Sequence, residues 1–407
     1  MENLKKEYAK LTVVKGVNVQ KDQDVIITAS VEDKDFVKYV IEECYLAGAR
    51  SVSVDWSFAP LSVLSYKYET VETLSEVPEW KKARMEYRVK TLPAQIHIIS
   101  SDPDSMKEID QNKMMQVNRV VRPIMKKYRD EMDNKFQWTI VGIPSNGWAK
   151  KVFPELNEEA AVLKLWENIL KVSRVDGNAI ENWNAHNKFM HDKCEKLNEL
   201  DLLSLHYTNS LGTDFTVELI KDVIFCGGSG QTVSGVVYNP NIPTEECFTT
   251  PNKNSANGVV MSSKPLSVMG KLVDNFGFRF ENGKIVEVLG NEEDKALLEQ
   301  LISLDEGARM LGEVALVPYS SPVCQSNVLF FNTLYDENAA CHLAIGAGFP
   351  DCIKGFEKLS EEEIKAFNLN ESMIHVDFMI GTKDLNIVGT TRDGKTVQIF
   401  KDGEFAI

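Results

Sequence analysis

The sequence has few of the features by which many classes of protein are recognised. Its seven cysteines form no CxxC pair, so a cysteine-rich zinc site is excluded, and an odd number of thiols suits a reducing cytosol. No apolar run approaches the length of a membrane span. Residues 1–16 are charged and amphipathic, so we expect no secretory signal and a cytoplasmic protein.

Positive charge is also scarce, because 45 Lys and Arg stand against 60 Asp and Glu and give a formal net charge of −15. Such an acidic chain disfavours nucleic acid or an anionic membrane as its main partner. Neither GxGxxG nor GxxxxGK[ST] follows any predicted strand, so the usual nucleotide-binding fingerprints are missing. The 407 residues are 43% hydrophobic and 26% charged, which is typical of a globular protein.

The first 150 residues alternate between strand and helix patterns. An apolar spacing typical of a helix follows the first strand and ends near Gly48. Strands separated by helices are typical of βαβ units, so we expect a mainly parallel sheet. The predicted strands are "DVIITAS" (24–30), "SVSVDW" (51–56), "AQIHIIS" (94–100) and "WTIVGIP" (138–144).

The pattern changes near residue 200, after two helices predicted between 156 and 200. Three Asn-Gly or Asp-Gly turns predict hairpins with type I′ geometry, in which both central residues have positive φ; they are "ENGK" (281–284), "RDGK" (392–395) and "KDGE" (401–404). We therefore predict an α/β protein with two domains. Residues 1–200 form a mainly parallel α/β domain with trailing helices, and residues 201–407 form a β-rich α+β metal-binding domain.

Four of the six histidines give no sign of a site in the sequence. His186 and His191 are five residues apart on a predicted helix, a rotation of about 140°, so they do not share a face. We interpret both as surface residues. His97 lies in a predicted strand and is interpreted as structural, and His206 beside an apolar run says little by itself.

His375 and Asp377 lie in the predicted strand "ESMIHVDFMIG" (371–381) and point to the same side of it. They are either a hydrated pair on the exposed face of a strand or two metal ligands. His342 opens an Ala/Gly-rich segment whose small residues allow a close backbone approach. Glu313 begins an apolar strand directly after a glycine, where an acid is either a solvated strand end or a ligand.

Glu245 and Glu246 lie in "NIPTEECFTTP" (241–251), a segment that is stiffened by Pro243 and Pro251. With the preceding residues they make a set of two His, two or three Glu and one Asp. Carboxylates that can bridge, together with an imidazole for each ion, suit a paired divalent metal site. The absence of thiolates from this set favours Zn²⁺, Co²⁺, Mn²⁺ or Mg²⁺.

These segments resemble the aminopeptidase T and aminopeptidase S family of metallopeptidases over nearly the whole chain. The matching stretches are, in order, "NIPTEECFTTP", "DEGARMLGEVALVP", "FNTLYDENAACHLAIG" and "HVDFMIGTKDLNIVG". The resemblance implies a C-terminal domain with a two-metal site, usually in a homodimer. The ligands that it implies are Glu246, Glu313, His342, His375 and Asp377. Spacing leaves open whether Glu245 or Glu246 is the ligand, and we favour Glu246.

The activity implied is hydrolysis of the first peptide bond of short peptides by a water activated by two metal ions. Glu245 is expected to be the general base, with Glu313 as the alternative. In one departure, Phe349 stands where the family usually has a Tyr, so an alternative is a metal-binding relative with weak or lost peptidase activity. A small-molecule binding protein that works through its N-terminal sheet is a further alternative, which the missing phosphate loops disfavour.

Overall fold

The structure is a computed structural model that describes residues 1–268 and 271–407. These residues form two compact units, one made of 1–184 with 229–243 and the other of 185–228 with 244–407. The chain therefore passes between the units three times. The division into independently folding domains at residue 200 stays a prediction.

Helices and strands alternate in the first half of the chain, and strands dominate the second. The helices are α1 Glu2–Leu11, α2 Lys34–Leu46, α3 Ala59–Tyr68, α4 Val71–Ser75, α5 Glu79–Thr91, α6 Gln111–Met132, α7 Asn146–Val152, α8 Glu158–Val172, α9 Ala179–Glu199, α10 Glu292–Ile302, α11 Pro322–Ser326, α12 Thr333–Asp336 and α13 Glu361–Lys365. The strands are β1 Asp24–Ser30, β2 Ser51–Ser57, β3 Ala94–Ile99, β4 Trp138–Gly142, β5 Leu202–Thr208, β6 Asp214–Glu218, β7 Cys226–Gly227, β8 Gly230–Gln231, β9 Val237–Tyr238, β10 Asn241–Ile242, β11 Cys247–Thr249, β12 Asn257–Met261, β13 Leu266–Val268, β14 Lys271–Val273, β15 Gly277–Glu281, β16 Lys284–Leu289, β17 Leu311–Leu316, β18 His342–Gly346, β19 His375–Met379, β20 Asn386–Thr391, β21 Thr396–Lys401 and β22 Glu404–Phe405.

The first unit is built on a sheet of order β10–β4–β3–β1–β2 in which every neighbouring pair is parallel. Between β1 and β2, α2 buries Phe36, Val37 and Val40. Gly48, with φ +99°, follows the end of α2 at the position that the sequence predicted. The expectation of a mainly parallel α/β arrangement in this part of the chain is confirmed.

The second unit is antiparallel. One sheet has the order β16–β15–β12–β6–β5–β20–β21–β22, and another has the order β19–β18–β17–β11–β7. Phe278 of β15 and Phe378 of β19 pack edge to face with ring centroids 5.2 Å apart, so the two sheets share one apolar core. The prediction of a β-rich C-terminal part is confirmed. The core lies on the Phe378 side of β19, which leaves its other side for His375 and Asp377.

The three predicted hairpins form, but one turn differs from expectation. Asn282 and Gly283, like Asp402 and Gly403, have positive φ at both central positions, as a type I′ turn requires. In the turn between β20 and β21 only Gly394 has a positive φ, so the type I′ prediction is wrong there. The amide of Thr391 donates to the Lys395 carbonyl, which closes a longer loop that needs only one such residue.

No helix within the described ranges is both long and apolar enough to cross a membrane.

Candidate metal centre

Three neighbouring strands place four of the predicted site residues on one face of a sheet. Glu313 of β17 lies opposite Ala344 of β18, and Ala344 lies opposite Asp377 of β19. His342 and His375 precede Ala344 and Asp377 by two residues, so they point to the same side. The strand periodicity that buries Phe378 therefore brings two imidazoles and two carboxylates together.

Small residues allow these strands to approach closely behind the site. A Cβ added to Gly312 would lie 2.2 Å from the Ala347 carbonyl oxygen, and one added to Gly346 would lie 2.1 Å from that of Ile374. Gly346 also has φ +105°, which disfavours any residue with a side chain. The close backbone approach that was expected of the Ala/Gly-rich segment is thus between neighbouring segments of this sheet.

Glu246 completes the cluster from the residue just before β11, the strand that pairs with β17. The Nε2 of His342 lies 3.2 Å from Glu246 Oε2, and the Nε2 of His375 lies 3.1 Å from Glu313 Oε2 and 3.2 Å from Asp377 Oδ1. Two groups of three result, one of Glu246, Glu313 and His342 and the other of Glu313, His375 and Asp377. Within each group one potential ligand atom from every residue lies within 4.8 Å of the others, and Glu313 belongs to both.

Hydrogen bonds to backbone carbonyls hold both imidazoles in the orientation that is usual for histidine ligands of a metal ion, with Nε2 facing the site. His342 Nδ1 lies 3.2 Å from the Ala340 carbonyl oxygen, and His375 Nδ1 lies 2.7 Å from that of Ala347. A carbonyl oxygen only accepts, so each Nδ1 carries a hydrogen, and loss of the proton on Nε2 would leave its lone pair facing the carboxylates. Asp377 Oδ1 is buried and lies 3.2 Å from His375 Nε2, without the geometry of a hydrogen bond. Lone pairs that converge in this way fit divalent cations.

The charges of the cluster favour cations at its centre. Burial lowers the pKa of both imidazoles, but Glu246 and the other carboxylates raise that of His342 to about 10, and Asp377 and Glu313 raise that of His375 to about 11. Burial raises the pKa of Glu313 to about 7. Although burial opposes it, the imidazoles hold the pKa of Asp377 below its usual range. A cation beside each Nε2 relieves the mutual repulsion of these buried carboxylates.

Glu245 is buried beside His186, a histidine that we predicted to lie on the surface. His186 is only 7% exposed, with Nε2 2.7 Å from the Thr244 carbonyl oxygen and 4.0 Å from Glu245 Oε2, so its interpretation as a surface residue is wrong. His191 is exposed, as predicted. Because the two histidines point to different sides of α9, His186 is buried while His191 is exposed to solvent. Glu245 N donates to Asn338 Oδ1 over 2.6 Å, and its side chain is 3% exposed.

Phe349 lies directly against the cluster. Its ring centroid is 4.8 Å from that of His375 and 5.6 Å from that of Phe248. The backbone amide of Phe349 donates to Thr250 Oγ1 over 3.1 Å, which holds the backbone in place just before the short helical turn Pro350–Cys352. The residue therefore supplies an apolar wall to His375 at the position where the resemblance led us to expect a hydroxyl.

Glu337 is a residue near the site that sequence reasoning missed. Burial raises the pKa of its carboxyl well above the usual range, and the negative charges of Glu246 and Asp377 raise it further. The residue lies in a short helical turn, Glu337–Ala339, five residues before His342. Glu337 belongs to the stretch "FNTLYDENAACHLAIG", in which an acid five residues before a predicted ligand is the signal that could have revealed it.

A fold with a parallel and an antiparallel half that carries a carboxylate–imidazole cluster suits a metal-dependent enzyme. The chain belongs to the thermophilic metalloprotease (M29) family, whose pattern it matches over residues 1–405. It is 43% identical to aminopeptidase AmpS of Bacillus subtilis (strain 168) over 98% of this chain and 97% of that protein. It is 39% identical to aminopeptidase 2 of Geobacillus stearothermophilus over 98% and 97% of the two chains.

The solved structure of wild-type AmpT from Thermus thermophilus is similar over 100% of both chains, with a TM-score of 0.90 and 34% identity. The family and these relatives confirm the resemblance and the expectation of a metal-dependent aminopeptidase. They do not favour the alternative of a relative with weak or lost activity.

Proposed function

We propose that this protein removes N-terminal residues from short peptides with two divalent metal ions held in its C-terminal half. The proposed ligands are Glu246, Glu313, His342, His375 and Asp377. The observation that carries the proposal is the pair of three-residue groups that share Glu313. A carboxylate common to two groups is suited to bridge two ions.

The proposed ligands offer imidazole nitrogens and carboxylate oxygens, and these donor atoms favour Zn²⁺, Co²⁺, Mn²⁺ or Mg²⁺. If bound here, such ions would supply Lewis acidity, which would lower the pKa of a water molecule and polarise a peptide carbonyl. The chain's own residues orient this chemistry, because the Ala340 and Ala347 carbonyls hold the two imidazoles from behind.

Glu245 is our candidate for the general base that takes a proton from water and passes it to the leaving amine. It adjoins the proposed ligand Glu246, its side chain is buried, and it belongs to neither three-residue group among the described residues. Glu313 is the alternative base. Its membership of both groups and its contact with His375 favour a bridging role instead.

We further propose that the protein is a cytoplasmic homodimer. All seven cysteines are free thiols, which suits a reducing compartment. Helix α3 has no buried residue, and its Leu61 and Leu64 are 61% and 49% exposed. Trp80 of α5 is also exposed, at 62%. An apolar face of this kind on a small helix suits burial against a second copy of the chain.

A pair of matched peptides tests the proposed activity. We expect a short peptide with a free N-terminus to lose its first residue, and a chelator to abolish the reaction until metal is restored. The same peptide with an acetylated N-terminus should be resistant, because an aminopeptidase recognises the free amine. Release of products at equal rates from both peptides, measured by mass spectrometry, would refute the exopeptidase proposal.

A further inference from the structure

A second cavity lies within the first unit and belongs to none of the chemistry above. It has a volume of about 510 Å³ and is lined by residues of β3, β4, α5 and α6, a size typical of sites for small molecules. Gln95 and His97 lie on the same side of β3, and Trp138 is the register partner of Gln95 on β4. Strands of a parallel sheet are usually apolar on both faces, so two polar residues at this place are unusual.

Two of the lining groups are buried hydrogen-bond donors without an acceptor. Gln95 is 7% exposed, and its Nε2 has no partner among the described residues. Arg88 forms an ion pair with Asp55 through a terminal nitrogen, but its buried Nε likewise has no partner there. Buried donors of this kind are rare in folded proteins, because each has given up its hydrogen bonds to water. Both nitrogens are fully buried, so neither donor opens into the cavity, although the side chains that carry them help to line it.

Positive charge surrounds the same cavity in a chain whose net charge is −15. Helix α6 contributes Arg122 and Arg129 to the lining; both are exposed, and neither forms an ion pair with a described residue. Asp133 is the acid that lines the cavity beside them. Burial and the charge of Arg88 lower the pKa of His97, so this imidazole is neutral at pH 7 and adds hydrogen-bonding capacity without charge.

The rest of the lining is apolar. Met85 and Met132 belong to a small core cluster against which Met125 and Phe136 pack, and all four also line the cavity. Together with the Trp138 ring they form a wall suited to a flat or branched apolar group. The cavity therefore combines an anion-binding side with an apolar side.

We propose that this cavity binds a small organic carboxylate whose charge is held by Arg122 and Arg129 and whose apolar body lies against Trp138 and the methionines. The planar guanidinium matches a carboxylate in geometry. This site is independent of the metal centre and of the proposed peptidase activity, since all its residues belong to the first unit.

The test is calorimetric titration of the full-length, metal-loaded protein with N-acetyl-L-phenylalanine and with its neutral amide. We expect the acid to bind and the amide to bind at least about tenfold more weakly, as loss of a charge-assisted contact predicts. Arg122→Gln and Arg129→Gln should each weaken binding of the acid about tenfold for the same reason. The matched control is Arg119→Gln, an exposed arginine of α6 outside the lining, which should bind as the wild type does.

Gln95→Met separates the buried donor from the ligand site. Replacing the unpaired donor with an apolar side chain of similar size should raise the melting temperature, because a buried donor without a partner is destabilising. Binding of the acid should stay as in the wild type, because the donor does not open into the cavity. The proposal is overturned if the acid does not bind, if acid and amide bind equally, or if Arg122→Gln and Arg129→Gln bind as Arg119→Gln does. Unchanged peptidase activity in all of these variants would show that any loss belongs to this cavity and not to the metal centre.

Discussion

Backbone carbonyls behind His342 and His375 hold both imidazoles in place, so the proposed ligands are preorganised. We expect His375→Ala and Asp377→Ala to lose metal and activity, because each removes one ligand from a three-residue group. An exposed pair contributes only about 0–1 kcal/mol, so a hydrated His–Asp pair would leave both properties intact. The measurement is metal content per chain by elemental analysis after dialysis.

His191→Ala is the control for that experiment, since His191 is exposed on α9. It should keep the metal content, activity and melting temperature of the wild type. Any loss of stability in the other two variants should be larger with metal present, because a bound ion stabilises only the folded state. Full metal occupancy in both His375→Ala and Asp377→Ala would contradict their assignment as ligands.

His97 makes a prediction about pH. Its pKa in the folded protein is lowered by burial and by Arg88, whereas in the unfolded chain it is about 6.5. The unfolded state therefore binds more protons as the pH falls, and the stability associated with His97 is present above about pH 6.5 and lost on acidification. His97→Gln should reduce the loss of stability between about pH 7.5 and pH 5, as measured by urea unfolding at each pH.

The charged groups around that imidazole act in opposite directions, with three arginines against one aspartate among the described lining residues. Arg88 on α5 and Arg122 and Arg129 on α6 disfavour the protonated form of His97, whereas the carboxylate of Asp133 favours it. If the wild type and His97→Gln lost equal stability on acidification, the imidazole would have the same pKa in the folded and unfolded states. That result would place His97 in water and not in the cavity.

The proposed ligands could be predicted from the sequence because each stands in an unusual local context. His375 and Asp377 alternate with apolar residues on one strand, and His342 opens a run of small residues. His186 and Glu337 were misjudged or missed, since whether a polar side chain is buried depends on segments distant in sequence, such as Thr244 beside His186. The unpaired donor of Gln95 is likewise invisible in the sequence, because it follows from how other segments pack around this side chain.

At the scale of elements, the close packing of β17 and β18 suggests a test of how the centre is positioned. A Cβ at Gly312 would meet backbone oxygens at 2.2 Å and 2.4 Å, so Gly312→Ala must displace a strand beside Glu313. We expect overpacking to destabilise the protein by about 1–3 kcal/mol and metal affinity to fall as Glu313 moves. Thermal unfolding and metal titration measure the two effects.

Gly212→Ala is a control with a different cause of strain. Gly212 has φ +98° but no atom within 4 Å of an added Cβ, so its variant should lose about 1–2 kcal/mol from backbone strain and keep its metal. Equal metal affinity in Gly312→Ala and Gly212→Ala would show that the backbone at Gly312 does not position the centre.

Elements with strong local patterns were predictable, and those created by neighbours were not. Strand β1 has the bounds predicted from "DVIITAS", and α8 and α9 appear between 156 and 200 as expected. Strand β10 is only two residues long and exists because it pairs with β4, so no periodicity could reveal it. The turn after β20 depended on loop length, which the Asp-Gly pair alone does not specify.

At the scale of the whole molecule, the exposed apolar face of α3 makes the proposed homodimer testable. A double Leu61→Glu and Leu64→Glu substitution places two charges where a second copy would bury apolar surface. We expect it to shift the protein from dimer to monomer in sedimentation velocity without unfolding it, since neither residue is buried. Leu211→Glu, at a residue with 48% exposure outside that face, should leave the dimer intact; a monomeric wild type would disprove the proposal.

The placement of the domain boundary shows what a change in pattern can miss. Met190, Cys194 and Leu197 of α9 lie in the core that contains β5 and β19, although the pattern of the sequence changes only after them. A helix contributes to whichever core its apolar side faces, and the sequence does not say which core that is. The division at residue 200 therefore stays a prediction for experiments on separate fragments.

The return of residues 229–243 to the first unit has a consequence for protein synthesis. Strand β4 ends at Gly142, but its partner β10 begins only at Asn241, so about a hundred residues must leave the ribosome before that edge of the sheet is covered. At about 5–20 residues per second, the nascent chain exposes an unpaired strand edge for about 5–20 s. An open edge is a template for pairing with other chains, so this interval is when a ribosome-associated chaperone would protect the protein most.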